Sequence, residues 1–445
     1  MSDYISKLCD IGGKVYVVGG ANRNYLFNCI HKMDKPTKDF DYLVQGLQQE
    51  EIINALKEFG SVKEVGQAFG IILFTSFDTK ENIEFALPRT EISTGPGYRD
   101  FLITPDPYLP IEDDFGRRDA TINAIGFQIY SIEDIALLDH TKNLEPDFTK
   151  FVDPFNGISD IRNKIWRAIG DPHKRFLEDP TRIMRAFRQS GELDLEIEKN
   201  TFKGIAEHYD VMRVLIPDSY VRLYNELLKL VKVRTSGKFL MMMSELGILK
   251  FLGIENKIDL ICVEKLDRAD TIIKFALMLN VESMDIDIKK WIHDRQILAT
   301  TSFSQLDLHI LIAIQAFSIK IRDMFDDECC VDTLVFKLLK IREQIYKYAK
   351  YDSTYVIKQV MQYVKIMYEI DININFLCTE HLDRYIMSTD QLVLTGDIIQ
   401  TRWDIKGKKI GLVKTMMLDE IFHGRLVNEK EQLISYVNKI YLTLD

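Results

Sequence analysis

The hydrophobic period of this chain changes once, near residue 150. Between residues 14 and 130 the apolar residues come in short β-type runs, KVYVV, FDYLV, IILFTSF, NIEFAL and INAIGFQIY, interrupted by one amphipathic stretch, LQQEEIINALKEF. Such runs around a helical segment predict a mixed α/β domain. Beyond about residue 155 the β-type runs stop. Leucine, isoleucine and aromatic residues then recur at three- and four-residue spacing, as in SYVRLYNELLKLVK and VDTLVFKLLKIREQIYKYAK, which predicts packed amphipathic helices to the end of the chain. The expected fold class is therefore α+β, with its strands in the first part and its helices in the rest. No fixed-period repeat or low-complexity linker marks the border.

With 445 residues, 46% of them hydrophobic and 28% charged, the chain has the composition of a globular protein and room for two or three cores. Its formal net charge of -10 excludes a protein that holds nucleic acid by bulk positive charge, so any polyanion site has to be a local patch. Cys9, Cys29, Cys262, Cys329, Cys330 and Cys378 form no CxxC pair and have no histidine at zinc-finger spacing, so structural zinc is not expected and a reducing cytoplasm is. Asp3, Lys7 and Asp10 interrupt the first residues, and no long uncharged stretch follows. Neither secretion nor a membrane span is expected.

Residues 14–43, KVYVVGGANRNYLFNCIHKMDKPTKDFDYL, hold the first candidate chemistry. Gly19 and Gly20 leave a strand and enter a helix, where unpaired N–H groups and a close backbone can meet a phosphate, with Arg23 in the first turn as a further contact. Taken alone, a glycine pair after a strand is more often plain turn geometry. Asp39 and Asp41 stand two apart, so in a strand both carboxylates leave one face and can share a hard cation such as Mg²⁺; the plain alternative is a solvated strand face. Glu84, in the run NIEFAL, completes an acidic cluster if its strand lies beside that of Asp41. Further on, Arg117 and Arg118 precede Asp119 in RRDATINAI; the guanidinium fork suits phosphate, and Asp119 can orient one of the arginines or form a surface ion pair.

Residues 161–190 carry eight Lys or Arg against three Asp or Glu, a basic patch on an acidic chain. Asp179 and Pro180 suit the cap and first turn of a helix. Asp179, Arg182 and Arg185 then fall on one helical face, an acceptor beside planar donors, which is a set able to read the edge of a base. Arg188 turns to the far side from Asp179, where it can touch phosphate or simply stabilise the helix.

Taken in order, GGxxR, DxD, LPRTE, EDDxxRRDxTINA, DPxxGxxD at residues 153–160 and EDPxRxxRxxR resemble the class II tRNA nucleotidyltransferases, the family of CCA-adding enzymes and bacterial poly(A) polymerases. The resemblance covers residues 14–190, with LTGDIIQTRWDIKGKKIGLVKTMM and GRLVNEKEQL similar to the family's tail. It implies a polymerase-β-like head over residues 1–150, a nucleotide-selecting helical neck over 151–215 and a tRNA-binding helical body and tail over 216–445. It also implies roles: Asp39 and Asp41 on Mg²⁺ with Glu84 beside them, Gly19, Gly20, Arg23, Arg118 and Asp119 around the incoming nucleotide, and Asp179, Arg182, Arg185 and Arg188 selecting CTP or ATP without a template. The substrates implied are the 3′ end and acceptor arm of tRNA, ATP and CTP; no obligate protein partner is.

Two positions depart from the family pattern. Asn24 stands where an aspartate usually follows the arginine of the glycine motif, and HKMDKPTK lengthens the spacer before Asp39, which reads as a surface excursion. Some relatives carry a phosphohydrolase domain marked by an HD pair, but His293 and Asp294 have too few histidines around them to make one. Relatives that add only two cytidines lack part of a loop between the DxD strand and the RRD motif; here RTEISTGPGYRDFLITPDPYLPIEDDF is whole. Addition of a full CCA is thus the leading expectation. Partial CCA or poly(A) addition by the same family and a non-catalytic RNA-binding relative are its alternatives.

Overall fold

The computed structural model describes residues 3–37, 40–65, 70–95, 101–139, 141, 145–215, 220–326, 331–349, 353–370, 372–374, 377, 392–422 and 425–441. The chain forms two compact units, Met1–Leu230 and Val231–Asp445.

The first unit is built on a mixed sheet of seven strands. In chain order the strands are β1 (Lys14–Val18), β2 (Asp41–Gln45), β3 (Gly60–Val65), β4 (Ile71–Ser76), β5 (Asn82–Ala86), β6 (Arg89–Ser93), β7 (Phe101–Pro105), β8 (Gly126–Ile129), β9 (Phe151–Val152), β10 (Ile165–Trp166) and β11 (Glu196–Ile197). The large sheet runs β3-β4-β5-β2-β1-β8-β9, while β6 and β7 form a separate hairpin and β10 pairs with β11. All neighbours in the large sheet are antiparallel except β2 and β5. Val15 to Val18 are buried at every position, so β1 is covered on both faces. On one face Tyr16, Val18 and Leu43 pack against Ile111 and Phe115 of α4 (Ile111–Gly116). On the other, Tyr4 of α1 (Tyr4–Asp10) sets its ring 5.0 Å from Phe74 and 6.1 Å from Phe85.

The remaining helices of this unit are α2 (Gly20–His31), α3 (Gln49–Leu56), α5 (Gly157–Arg162), α6 (Pro172–Glu178), α7 (Thr181–Leu193), α8 (Lys199–His208) and α9 (Tyr220–Val231). Two expectations need correction, and a third falls outside the described residues. The segment INAIGFQIY is not one strand, because Thr121–Asn123 is a 3-10 turn and pairing starts only at Gly126. Strands also do not stop at residue 155, since β10 and β11 pair in parallel beyond it; two-residue strands leave no period to read. Finally, β2 begins at Asp41, and Asp39 lies outside the described residues.

The DPxxGxxD motif builds rather than lines. Asp153 accepts from the N–H groups of Gly157 (2.7 Å) and Ile158 (2.9 Å), fixing the start of α5. Asp160 accepts from Thr121 Oγ1 at 2.7 Å and takes Arg167 on both oxygens. A Cβ on Gly157 would lie 2.2 Å from the Thr121 carbonyl oxygen, so only glycine lets α5 close on the turn that precedes β8.

The second unit is helical among its described residues. Helix Thr271–Leu279 is buried at every position from Ile272 to Leu279, as expected of a central helix that is apolar nearly all round. Gln305–Asp326 packs along Ser353–Tyr368. Helices Gly396–Trp403, Lys408–Phe422 and Lys430–Ile440 share a core of their own that includes Ile399, Trp403, Val413, Met417, Leu433 and Val437. Among the described residues no helix is long and apolar enough to cross a membrane.

Candidate active site

One face of the large sheet floors a cleft of about 590 Å³. Val18, Asp41, Leu43, Ile71, Glu84 and Ala86 line it, and the strand register puts all of them on that face. Asp41 and Glu84 are direct partners in the parallel β2–β5 pair, so the neighbourhood left open by the sequence exists: two carboxylates project side by side. These are hard oxygen donors at a solvent-reached edge, the chemistry that suits Mg²⁺. Asp39, expected with them, lies outside the described residues.

The glycine turn closes one end of the cleft. Gly19 has φ +80°, a conformation that favours glycine, and a Cβ there would come 3.4 Å from Asp41 Oδ2 and 3.9 Å from an Arg118 nitrogen. Backbone, carboxylate and guanidinium thus converge on one point. Among the described residues no side chain caps the start of α2, which opens at Gly19 and Gly20. Asn22, buried at the start of α2, donates from Nδ2 to the carbonyls of Val17 (2.6 Å) and Ile125 (3.0 Å), which anchors the turn to both β1 and the entry to β8.

Asn24 takes a defined part in this arrangement. Its Oδ1 accepts from Arg23 Nη2 (3.0 Å) and Nε (3.2 Å), and its Nδ2 donates to the Pro36 carbonyl at 2.7 Å. An aspartate has no proton for the second bond. Asn28 likewise exchanges two 2.7 Å bonds with the backbone of Lys35, so the lengthened spacer is tied to α2 along Lys35 and Pro36. Residue 24 and the spacer are therefore joined by a bond that an aspartate could not make. Burial pushes the Arg23 guanidinium down to about 10, which still leaves it charged at neutral pH.

Across the cleft stands α7. Seven arginines line the cleft, Arg23, Arg89, Arg117, Arg118, Arg182, Arg185 and Arg188, against the acids Asp41, Glu84, Glu91, Asp119 and Asp179. The local basic patch that the net charge demanded is here, and it contains no lysine. Asp179 Oδ1 accepts from the Thr181 N–H (3.0 Å) and hydroxyl (2.6 Å), fixing the first turn of α7, while Oδ2 lies 3.9 Å from Arg182 Nε. Arg182 is buried, and its terminal nitrogens donate to the carbonyls of Arg117 (3.0 Å) and Arg175 (3.3 Å) and to Glu178. Arg188 turns toward α9 and pairs with Glu192 and Glu226.

Asp119 serves the cleft indirectly. It is buried, and its oxygens accept from the Ala120 N–H, Asn123 Nδ2 (2.8 Å), Gln189 Nε2 (3.2 Å) and Arg185 Nη2 (3.0 Å), so the arginine it orients is Arg185 rather than its sequence neighbours. Burial alone would raise its carboxyl; the Arg185 guanidinium, helped by Asn123 and Arg182, outweighs that and holds it below the usual range. Arg118 is positioned instead by Asp114, at 3.5 Å, and by the Asn123 carbonyl, at 3.2 Å. Asn123 and Gln189, absent from the expected set, complete a network: Arg23 donates to Asn123 Oδ1 at 2.6 Å, and Gln189 Oε1 accepts from Asn123 (2.8 Å) and Trp166 (2.9 Å). Arg23 directly, and Arg185 by way of Asp119, are thus tied to one pair of buried amides. Asp114 and Glu91, which clamp Arg117 at 2.9 Å each, were also missed, although both fall inside motifs that the sequence displays.

The paired HD candidate is different in kind. His293 and Asp294 sit 3.7 Å apart and are exposed, and no third ligating group among the described residues joins them.

A sheet face with paired carboxylates, a glycine turn at its edge and an arginine-lined helix opposite thus form one cleft in the first unit. Residues 15–167 match the family described as the Poly A polymerase head domain. The chain is 31% identical to the Multifunctional CCA protein of Mannheimia succiniciproducens over 245 residues, 54% of this chain and 49% of that one. To the protein of the same description from Variovorax paradoxus it is 36% identical over 181 residues, 41% of this chain and 38% of that one. The chain thus spans half or less of the length of these curated relatives. Among solved structures, the Bacillus stearothermophilus CCA-adding enzyme in complex with CTP is similar with a TM-score of 0.63 at 19% identity, over 99% of this chain and 96% of that one. The Thermotoga maritima CCA-adding enzyme complexed with tRNA gives 0.58 at 18%, over 98% and 94%. At such identities the likeness speaks for the fold.

Proposed function

We propose that this protein adds CCA to the 3′ end of tRNA, using CTP and ATP and no nucleic-acid template. One observation carries the reading: a single cleft presents paired carboxylates, a glycine turn and an acid–arginine set suited to a base, which are the three contacts a nucleoside triphosphate needs. The relatives named CCA proteins and the fold shared with CCA-adding enzymes support the choice of tRNA as acceptor. In this scheme residues to about 150 act as the catalytic head, residues 151–215 select the nucleotide and the helices from 216 onward take the tRNA, in the cytoplasm.

The triphosphate lies against the start of α2, where Gly19 and Gly20 keep the backbone open and Arg23 and Arg118 balance its charge. Asp41 and Glu84, with Asp39, are the residues to hold Mg²⁺, which when bound neutralises phosphate charge and eases deprotonation of the attacking hydroxyl. Asp179 Oδ2 and Arg182 Nε face the base. Arg185, held by Asp119, closes the same side. The 3′ hydroxyl of the tRNA attacks the α-phosphorus, and pyrophosphate leaves past the arginines.

The test uses the full chain, a tRNA transcript lacking its last three nucleotides, labelled CTP and ATP, and Mg²⁺. Both labels should enter the tRNA, and Asp41→Ala should lower the rate by about a hundredfold or more, while a filter-binding assay shows tRNA still retained. Absence of any incorporation by the wild type, or an Asp41→Ala variant as fast as wild type, would overturn the reading.

A further inference from the structure

We propose that the first unit carries a second metal site, outside the lining of the cleft, in which His173, Glu207 and His208 bind a borderline divalent transition-metal ion of the zinc class. His173 lies in the first turn of α6, and Glu207 and His208 end α8. The two helices are brought together by Gly204, where a Cβ would come 2.9 Å from Pro172 Cβ, so the last turn of α8 lies against the first turn of α6.

Three donor atoms converge there. His173 Nδ1 lies 3.2 Å from His208 Nε2 and 3.0 Å from Glu207 Oε2, and among the described residues this is the one grouping of three ligating side chains whose donor atoms all fall within 4.8 Å of one another. Metal–ligand bonds of about 2.0–2.1 Å at a tetrahedral centre put neighbouring donors roughly 3.3 Å apart, close to both distances. Hydrogen bonding alone serves the cluster poorly. With one proton on Nδ1, His173 can donate to Glu207 or to His208 and not fully to both, whereas a cation accepts all three lone pairs. The imidazole planes stand at 88°, so each ring directs its nitrogen without stacking on the other. The other carboxylate oxygen of Glu207 lies toward Lys203, at 3.8 Å, which leaves Oε2 for the cluster. His173 and Glu207 are partly exposed, which gives the ion a path in and leaves a fourth position to water.

Two imidazoles and one carboxylate match zinc and its neighbours rather than Mg²⁺, which prefers oxygen. No spacing in the sequence announces the site, because its ligands are not cysteines and come from two helices. Its consequence is mechanical. A metal there cross-links α8 to α6, and α6 carries Arg175, which donates to the Arg118 carbonyl at 2.8 Å, and runs directly into Asp179. The site does not depend on the proposed activity and is testable without it.

The experiment titrates chelator-treated full chain with Zn²⁺ in millimolar Mg²⁺, reading free zinc with a chromophoric chelator, and repeats it with Co²⁺, whose visible absorption reports a low-coordinate N/O site. One equivalent should bind with micromolar or tighter affinity and raise the melting temperature. His173→Ala and His208→Ala should each bind at least about tenfold more weakly, as should Glu207→Gln, which keeps shape and exposure. His293→Ala should match wild type. Wild-type binding no tighter than that of the folded Glu207→Gln and His208→Ala variants would overturn the proposal, as would an equivalent displaced by Mg²⁺.

Discussion

The two oxygens of Asp179 have different surroundings. Oδ1 is spent on Thr181, where it fixes the start of α7, and Oδ2 points along the cleft beside Arg182 Nε. Asparagine caps a helix about as well as aspartate, so Asp179→Asn separates the two uses: the amide oxygen keeps the Thr181 bonds and an NH₂ replaces the acceptor in the cleft. We expect Asp179→Asn to leave the melting temperature within a degree or two of wild type while lowering discrimination between CTP and UTP by about tenfold or more. Competition between the two nucleotides on one tRNA measures this. Unchanged selectivity in a stable variant would reduce Asp179 to a cap. At this scale the sequence was legible where a residue's type and spacing limit its uses: a glycine pair leaving a strand, an acid two residues into a motif, arginines on one face of a helix. Asn123 and Gln189 were not legible, because a lone amide has no spacing to read, and what matters is that the bonded pair links Arg23 and Asp119, through Asn123, to Trp166, through Gln189, across the fold.

Among the elements, α5 shows why a motif need not touch a ligand. Asp153, Gly157 and Asp160 hold the turn before β8, and β8 in turn pairs with β1, whose end forms the glycine turn. In Gly157→Ala the new methyl would meet a backbone oxygen at 2.2 Å, so α5 or the turn must shift. We expect a loss of about 3 kcal/mol, read from urea unfolding, with little change in the order of nucleotide preference. Helix Thr271–Leu279 makes the opposite case of a charge inside a core. Lys274 is fully buried and donates to the carbonyls of Val233 (2.6 Å) and Arg234 (2.9 Å) and to Ser236 Oγ (3.1 Å). Burial pushes its amine from 10.5 down to about 8. Between those values the unfolded chain binds a proton that the folded chain has released, so stability from this group rises as pH climbs from about 8 toward 10.5 and is least below 8. The stability gap between wild type and Lys274→Met, measured in urea at pH 8 and pH 10, should widen. A gap that narrows would mean that the three donated bonds need the full charge. Elements with an apolar run or a clear helical period, such as β1, β4 and the helix Val331–Ala349, were readable from the sequence. The β6–β7 hairpin was not, since its strands flank a glycine- and proline-containing stretch that reads as a loop, and β10 and β11 were not, since two-residue strands are specified by their partners rather than by a pattern of their own.

For the molecule as a whole, the proposed function asks how one cleft in an acidic chain could deliver three nucleotides and stop. The net charge of -10 repels RNA at large, and the seven arginines of the cleft concentrate attraction where chemistry occurs. Two of the residues lining that cleft, Arg89 and Glu91, belong to β6, and β6 pairs with β7 from Arg89↔Pro105 to Ser93↔Phe101. The connection between those strands, residues 94–100, is therefore attached to the cleft through a hairpin whose base holds Arg117 by way of Glu91. Residues 96–100 lie outside the described residues, so the reading of this loop rests on its sequence, TGPGYRD, and on the ladder that flanks it. A change of specificity from C to A requires the base-facing set to be rearranged between steps, and a polar loop tethered to that set is suited to drive it. If the protein adds CCA, a tRNA ending at its discriminator base should gain C, C and A when both nucleotides are supplied. Replacing residues 94–100 by an Asn-Gly turn, which keeps the β6–β7 ladder intact, should leave the two C additions near wild-type rate and abolish the A. Sequencing gels of the extended tRNA distinguish the outcomes. A wild type that stops at CC, or one that runs on through many adenosines, would assign the chain to a partial-CCA or poly(A) activity instead. A loop-shortened variant that still adds A would place the switch elsewhere, and the hydrogen-bonded chain from Arg23 through Asn123 and Asp119 to Arg185 is the next element able to transmit it.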